Sequence, residues 1–524
     1  DIEILTYRWR WGKNLAAVCH TPYQHLALIR QSEQYSLFSD GLWIYSFPDP
    51  QSSETAVHPV MLQHPEPKSV LMIGGCGFGL VDEILKYRDV GKLDCVEPDP
   101  GMTDFLHRYL PESARNYADS PKLRLIHDDA LSFIHQSNSS YDMILMNIGN
   151  PVNTRINRFY TIEFFDKIKK HLNTGGIFSF SLSSASGALG QVQIRFLQSV
   201  HLTLRQVFPN ILMLPGDQAR FLASDRQTPL LTDPDEMIRR MDNKHIECRF
   251  IKEFYFYDLL NPMALKYIGR LMAESLSPNL INRNFYPSSY FYGIALKSGE
   301  MRTGFRTVFL KLSEIGRQWL WIGIGLFIIF TLFLIRKRRH AVNFCVMISG
   351  ASLMTEQIVL LSAFQILAGS VYTKLAIIIA CFMIGLAGGA VQTAKCKMQS
   401  ESDIRRFLKI QMICAVYPIV MTGIFWILSD AEPLSAILSL VFGILALIAG
   451  ILGGSHFSIA AQMLPEDENT GGKLYVWDII GAAAGALFTT FFLLPIFGFF
   501  ATLAVYSLLM VGGGICIRGN HFQN

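Results

Sequence analysis

The cysteine pattern of this chain gives no sign of a metal site or a disulfide scaffold. Its nine cysteines are scattered over 524 residues and none forms a C-x-x-C pair, so neither zinc nor a disulfide framework is expected. Cys76 reads as a small residue standing in for glycine. Strong charge is missing too. A net charge of +4, with charged residues at 17%, leaves no basic stripe and argues against nucleic acid as a partner. The first residues show no signal-peptide pattern. Apolar residues are abundant instead, at 50% with a mean hydropathy of +0.28. They are unevenly placed: residues 1–317 are an ordinary globular mixture, whereas 318–517 are dominated by long apolar runs. Two or three domains are expected at this length.

The stretch Val70–Gly79, V-L-M-I-G-G-C-G-F-G, reads as a strand, a glycine turn and the start of a helix over 80–87. Such a turn needs glycine for positive φ and for close approach of a ligand. The next apolar run, 93–96, ends in Glu97, where an acid commonly holds ribose hydroxyls. Strands at 70–73, 93–96, 123–126, 142–146 and 177–181 alternate with helices at 80–87, 101–109, 129–136, 161–171 and 189–207. That alternation predicts an α/β fold, a Rossmann-like parallel sheet with crossover helices. Residues 1–66 are expected to form a small β-rich unit, with Asp40-Gly41 as a hairpin turn. Residues 67–300 form the Rossmann-like domain, 301–317 a linker and 318–517 an all-α membrane domain. Seven spans are expected there, at 318–335, 342–369, 372–394, 407–429, 433–463, 474–497 and 499–517, each long enough for ~30 Å of hydrocarbon. Small-residue runs such as Gly385–Gly389 and Gly481–Gly485 are expected at close helix contacts.

Several motifs together resemble the spermidine synthase (polyamine aminopropyltransferase) family, and in particular its membrane-fused members. They are Thr21-Pro22-Tyr23-Gln24, Phe38-Ser39-Asp40-Gly41, Glu54 followed by Val57-His58-Pro59, Gly74–Gly79, Glu97, Asp129-Ala130, Asn147-Ile148-Gly149-Asn150-Pro151, and Asn157-Arg158-Phe159-Tyr160-Thr161. The resemblance implies that Gln24, Gly74, Gly75, Gly77, Glu97, Asp129 and Ala130 hold an S-adenosyl-type ligand: S-adenosylmethionine, decarboxylated S-adenosylmethionine or methylthioadenosine. It also places Asn147 where the family has its catalytic base and Asn150 at the second acid. Gly77 replaces the acid of the glycine turn, and Val57 and Pro59 replace the Tyr and Glu of Y-H-E.

A polyamine nitrogen must lose a proton before it attacks, which calls for a carboxylate base and further carboxylates to hold the polycation. An amide serves neither purpose, so ordinary polyamine transfer is not expected. His58 and His127 are the alternative bases near the site, although a lone histidine is more often a structural hydrogen-bonder. Arg155 and Arg158, with Tyr160, flank the substrate loop. Arginines facing the pocket would fit a neutral or anionic second ligand. Three functions follow: a sensor, scaffold or assembly factor with a retained nucleoside pocket; a transferase acting on a non-polyamine, lipid-linked substrate; or a transporter-like membrane domain under a regulatory cap.

The expected partners are the lipid bilayer and other membrane proteins or further copies of the chain. Loop charges set orientation. Arg336, Lys337, Arg338, Arg339, Lys395, Lys397, Arg405, Arg406, Lys409, Lys473 and Arg518 fall on one side of the expected spans and Lys374 on the other. Those loops are then cytoplasmic and residues 1–317 extracytoplasmic, at a bacterial inner membrane. Lys297, Arg302, Arg306, Lys311 and Arg317 pull the other way. Within the spans, Glu356, Gln357, Gln365, His456 and Asp478 are polar. Groups at that depth usually face a partner or a water-filled path, and Glu356 with His456 or Asp478 is the expected cluster. Ser349-Gly350, Glu356 and Phe382–Gly385 resemble the membrane half of fused transporter–spermidine synthase proteins.

Overall fold

The structure, a computed structural model, describes residues 2–77, 79–111, 120–274, 280–299, 322–323, 325–326, 338–369, 372–395, 400–431, 435–464 and 470–520. Contacts divide the chain into two units, residues 1–152 with 156–283, and residues 153–155 with 284–524. The boundary expected at 300 thus falls at 283, because Phe285 and Tyr290 pack among the later helices. The expected linker 301–317 lies outside the described residues, as does the span 318–335 apart from two helical pairs, 322–323 and 325–326.

The first unit begins with a helix, α1 (Ile2–Trp11), within the stretch expected to be β-rich. Arg8 and Arg10 in its last turn suit the negative end of the helix dipole. Strands β1 (Leu15–His20), β2 (His25–Gln31), β3 (Gln34–Ser39) and β4 (Leu42–Phe47) then form an antiparallel meander. The β3–β4 turn is Asp40-Gly41, both at positive φ (48° and 77°), the backbone that a two-residue hairpin loop favours. The rest of the expected β unit is helical: α2 (Pro50–Met61) starts at an Asp49 cap that accepts from Ser52 N, with Pro50 in its first turn. Proline inside a helix reads as a breaker, yet Pro59 lies within this one.

Alternation follows as expected through β5 (Ser69–Ile73), α3 (Leu80–Leu85), β6 (Lys92–Val96), α4 (Pro100–Tyr109), β7 (Leu123–Ile126), α5 (Ala130–Gln136), β8 (Tyr141–Met146), the short α6 (Thr154–Asn157), α7 (Ile162–Lys170), β9 (Leu172–Ser183) and α8 (Gln191–Arg205). A hairpin, β10 (Asn210–Leu214) and β11 (Gln218–Ser224), and helices α9 (Pro234–Asn243), α10 (Glu253–Leu259) and α11 (Pro262–Ala273) complete the unit. The sheet order is β10-β11-β9-β8-β5-β6-β7. It is mixed rather than purely parallel, because β11 and β10 pair antiparallel at the β9 edge. The interior strand β5 is buried on both faces, with Val70–Ile73 at most 1% exposed, as its unbroken apolar run requires. The chain passes from β5 to β6 on one side and returns with β8 on the other. The carboxyl ends of β5 and β8 therefore flank the crevice where ligands bind in such sheets.

One buried group ties this unit to pH. His201 on α8 has no hydrogen-bond partner for Nδ1. Burial, with Arg205 nearby, pushes its pKa down to about 4. The unfolded histidine titrates near 6.5, so protons favour the unfolded chain, and stability is lost as pH falls from there to about 4, by about 3 kcal/mol. Asp82 works in the opposite sense, held up to about 6 by burial and by Glu83. The difference between wild type and His201→Gln isolates the histidine effect. Urea unfolding is expected to show the variant losing less stability between pH 7 and pH ~4.5.

In the second unit, α12 (Ser288–Gly299) precedes α13 (Arg338–Ala368), α14 (Tyr372–Ala394), α15 (Ser400–Ala431), α16 (Ser435–Gln462), α17 (Thr470–Phe488) and α18 (Gly498–Asn520). Among the described residues, five helical stretches are long and apolar enough to cross a membrane, the last running Gly471–Ile517. Within it a π-helical segment, Thr489–Phe497, containing Pro495, leads to Gly498 at φ 77°, where the sequence split its last two spans. The small residues do sit at close contacts. A Cβ on Gly385 or Gly389 would collide with the carbonyls of Leu447 and Ile451, and one on Gly481 with that of Met347. These close approaches join α14 to α16 and α13 to α17.

Candidate functional site

The site is assembled from the carboxyl ends of β5, β6, β7 and β8. Past β5, Gly74 and Gly75 take φ of 74° and 77°. A Cβ on Gly74 would lie 2.8 Å from the Asn147 carbonyl oxygen, and one on Gly75 2.6 Å from Asn147 Nδ2. The glycines thus let the β8 loop lie directly on the turn. Cys76 in the same turn forms a disulfide with Cys95 of β6. This corrects the expectation of a small filler residue and of no disulfide. The two cysteines have no motif spacing; parallel pairing of β5 with β6 brings them together. Gly77 is buried beside Cys76, and α3 is a residue or two shorter than expected.

Glu97, just past β6, is 6% exposed, and its backbone N–H is anchored to Ile126 O at 3.0 Å. Two residues on lies an acid that the sequence reading missed. Asp99 is fully buried and caps α4 by accepting from Gly101 N at 3.0 Å. It also accepts from Thr21 Oγ1 at 2.7 Å and Gln24 Nε2 at 2.9 Å. Asp99-Pro100-Gly101 is an N-cap signal visible in sequence. Gln24 is further held by Ser39, whose hydroxyl donates to Oε1 at 2.7 Å. Gln24 therefore fastens the meander to the second acid loop and is not displayed freely to a ligand. Tyr23 beside it has its phenol pKa raised by burial, then by Asp99, Asp129 and Asp128, which places it among the site's acids.

Asp129 caps α5, accepting from Leu131 N and Ser132 N at 3.2 and 3.4 Å, with Ala130 buried behind it. Arg158, 4% exposed, grips it through both nitrogens of its fork: Nη1 donates to Oδ1 at 3.2 Å and Nη2 to Oδ2. Oδ1 is saturated, and Oδ2 keeps one acceptor position. The two loop arginines part company, since Arg155 groups with the second unit.

In the β8 loop, Asn150 Oδ1 accepts from Ser183 N at 2.9 Å, and Tyr160 donates to Gly149 O at 2.6 Å. Asn147 is exposed. His127 contacts the Glu97 carbonyl through Nδ1 at 3.2 Å. His58 is elsewhere: fully buried between α2 and α3, with Nδ1 on Tyr87 Oη and Nε2 on Glu83 Oε2, both at 2.9 Å. It is a core hydrogen-bonder and not a base at the turn. Burial opposes the charge of Glu83, but His58 and Lys86 outweigh it and hold its pKa low. Glu54 is also structural, accepting from the backbone N–H groups of Arg249, Phe250 and Ile251 at 2.7, 2.8 and 3.1 Å.

The polar cluster expected within the apolar helices differs from expectation. Glu356 accepts from Ser352 Oγ at 2.9 Å on its own helix. His456 bonds to Gln411 through Nε2, and Gln411 donates to Met510 O at 2.8 Å. Asp478 lies over Gly350, where an added Cβ would be 2.7 Å from its Oδ1. Among the described residues no hydrogen bond or ion pair joins Glu356, His456 and Asp478. Gln357 is buried with both amide atoms unpartnered.

Residues 50–215 match a family model described as the spermine/spermidine synthase domain. A polyamine aminopropyltransferase of Saccharolobus islandicus (strain Y.N.15.51 / Yellowstone #2) is 31% identical over 196 residues, covering 36% of this chain and 62% of that protein. One from Leptospira interrogans serogroup Icterohaemorrhagiae serovar copenhageni (strain Fiocruz L1-130) is 32% identical over 168 residues, 31% of this chain and 34% of the relative. The chain therefore spans less than two thirds of these relatives' lengths. A crystal structure of a spermidine synthase in complex with the transition state analogue AdoDATO matches at 18% identity and a TM-score of 0.42, over 49% of this chain and 88% of that one.

Proposed function

Since the chain carries a spermine/spermidine synthase domain over residues 50–215, we propose that it is a membrane-bound member whose nucleoside cradle persists while its polyamine-transfer site has been dismantled. The observation that carries this reading is the β8 loop. Asn147 and Asn150 stand there, and Asn150 is spent on the Ser183 backbone, so the loop offers no carboxylate to accept a proton or hold a polycation. On the cradle side, Glu97, whose Oε1 also receives the Asp99 N–H at 3.4 Å, stands past β6 where it would accept from ribose hydroxyls, and the last acceptor position of Asp129 would take an exocyclic amine. Such a domain acts as a ligand-responsive sensor, scaffold or assembly factor.

Two features support an extracytoplasmic soluble unit. The short membrane loops carry the positive charge, and a disulfide sits in the cradle, a bond that persists in oxidising compartments.

Calorimetry on the full chain in detergent tests the reading. Methylthioadenosine is expected to bind, and Glu97→Ala to weaken it about 10- to 100-fold, the worth of one charge-assisted hydrogen bond or more. Polyamine formation from putrescine and decarboxylated S-adenosylmethionine is expected to be absent. Turnover of an S-adenosyl donor abolished by Glu97→Ala would replace this reading with a transferase acting on another substrate. No heat with methylthioadenosine would remove the cradle altogether.

A further inference from the structure

Level with the altered loop, the sheet holds a cation that no described carboxylate pairs with. Arg220 of β11 faces Ser181 of β9 in register. Met146 of β8 pairs with Phe180, so the next residue out, Asn147, is level with Ser181. Arg220 and Asn147 are thus two strands apart at the same carboxyl end, about 10 Å at ~4.8 Å per strand.

The faces are fixed by packing. Phe221 stacks on Phe180 at 5.0 Å on one side of the sheet. By the strand's alternation, Arg220, Ser181 and Ser179 point to the other, the side of α2 and the apolar cluster containing Met72, Leu80 and Leu222. On that side Arg220 Nη1 donates to Ala56 O of α2 at 2.7 Å. Ala56 lies one turn beyond Ser53, whose Oγ would be 2.9 Å from a Cβ on Gly79. One helix therefore walls the space from the glycine turn to Arg220.

Among the described residues, no carboxylate pairs with Arg220. A guanidinium has five N–H donors, and one is used. The side chain is recessed but keeps solvent access. Burial pushes its pKa down to about 10, with Tyr255 nearby holding it up, so it is charged at neutral pH. Close by on the same face, Ser179 Oγ is buried without a partner. A recessed, uncompensated charge is costly unless something pairs with it.

We infer that the space between the ends of β8, β9 and β11 takes an anionic oxygen group, a carboxylate or a phosphate, held by Arg220. The inference rests on the cradle reading for its location. It turns the lost carboxylates from a deficit into a change of charge preference, because acids here would compete with the anion for the guanidinium. The anion is either the amino-acid tail of the nucleoside ligand itself or a separate small molecule.

Calorimetry on the full chain in detergent separates the cases. S-adenosylhomocysteine carries a carboxylate tail and methylthioadenosine does not. If the tail is the anion, the former binds at least about tenfold tighter, the worth of one charge-assisted bond. That preference shrinks in Arg220→Gln and is partly restored in Arg220→Lys. If the anion is separate, inorganic phosphate binds the wild type, with or without methylthioadenosine, and binds Arg220→Gln about tenfold more weakly or worse. Should Arg220→Gln not fold, the wild type alone decides: millimolar phosphate is expected to raise its Tm, and a merely structural clamp on α2 would give no such shift. Methylthioadenosine binding with neither a tail preference nor a phosphate effect overturns this inference and leaves the cradle standing. Phosphate binding without methylthioadenosine binding overturns the cradle reading and keeps the anion site.

Discussion

Asp129→Ala is expected to destabilise the soluble unit by about 3–5 kcal/mol, because it leaves the Arg158 guanidinium buried without its counter-charge. Arg158 is 4% exposed and holds both carboxylate oxygens, so water cannot readily replace them. The α5 cap is lost in the same step. The reverse change is expected to be milder. In Arg158→Met the Asp129 side chain, 25% exposed, can still be hydrated and still receives the two helix N–H groups. It also regains acceptor positions for an adenine amine. Denaturant melts should therefore rank Asp129→Ala well below Arg158→Met. Methylthioadenosine affinity should be kept or improved in Arg158→Met. Equal destabilisation by the two changes would show that the pair's cost lies elsewhere.

Reducing the Cys76–Cys95 bond, or replacing both residues with serine, is expected to cost about 3 kcal/mol, the entropy of a closed loop of this order, given a sequence separation of 19. For a unit of this size that lowers Tm by about 5 °C. The bond also links the glycine turn to the strand that ends in Glu97, so the open form should bind methylthioadenosine more weakly. The same bond reports on topology. In cells carrying Cys76 and Cys95 as the sole cysteines, thiol trapping before lysis should find them oxidised if the unit faces outward. Finding both reduced would place it in the cytoplasm.

Much of the architecture was legible because buried parallel strands announce themselves. Val70–Ile73, Leu93–Val96 and Tyr141–Met146 are unbroken or nearly unbroken apolar runs, followed by Gly74, Glu97 and Asn147 respectively. Glu97 could be found at the second of these strand ends, and Asp129 just past β7, by position alone. Their occupations could not. Arg158 is 29 residues from Asp129, and Gln24 is 75 from Asp99, so each pairing depends on sheet order. Helix α2 was obscured by Pro59, although Asp49-Pro50 marks its start. The edge hairpin β10–β11 and helices α9 to α11 went unassigned, although Asp233-Pro234 and Asn261-Pro262 mark the starts of α9 and α11. Arg220 was visible as a lone cation in the run Ala219–Ala223, but its meaning came only with the register.

Glu54 bears on how much chain makes a folding unit. Its three backbone donors lie 195 to 197 residues downstream, far past residue 215 where the family region ends. A fragment of residues 50–215 would bury a carboxylate with nothing to receive it. The domain can close only once synthesis has passed Ile251, and that still precedes the apolar helices from α13 onward. The order of the chain lets the first unit be finished before the long apolar helices follow.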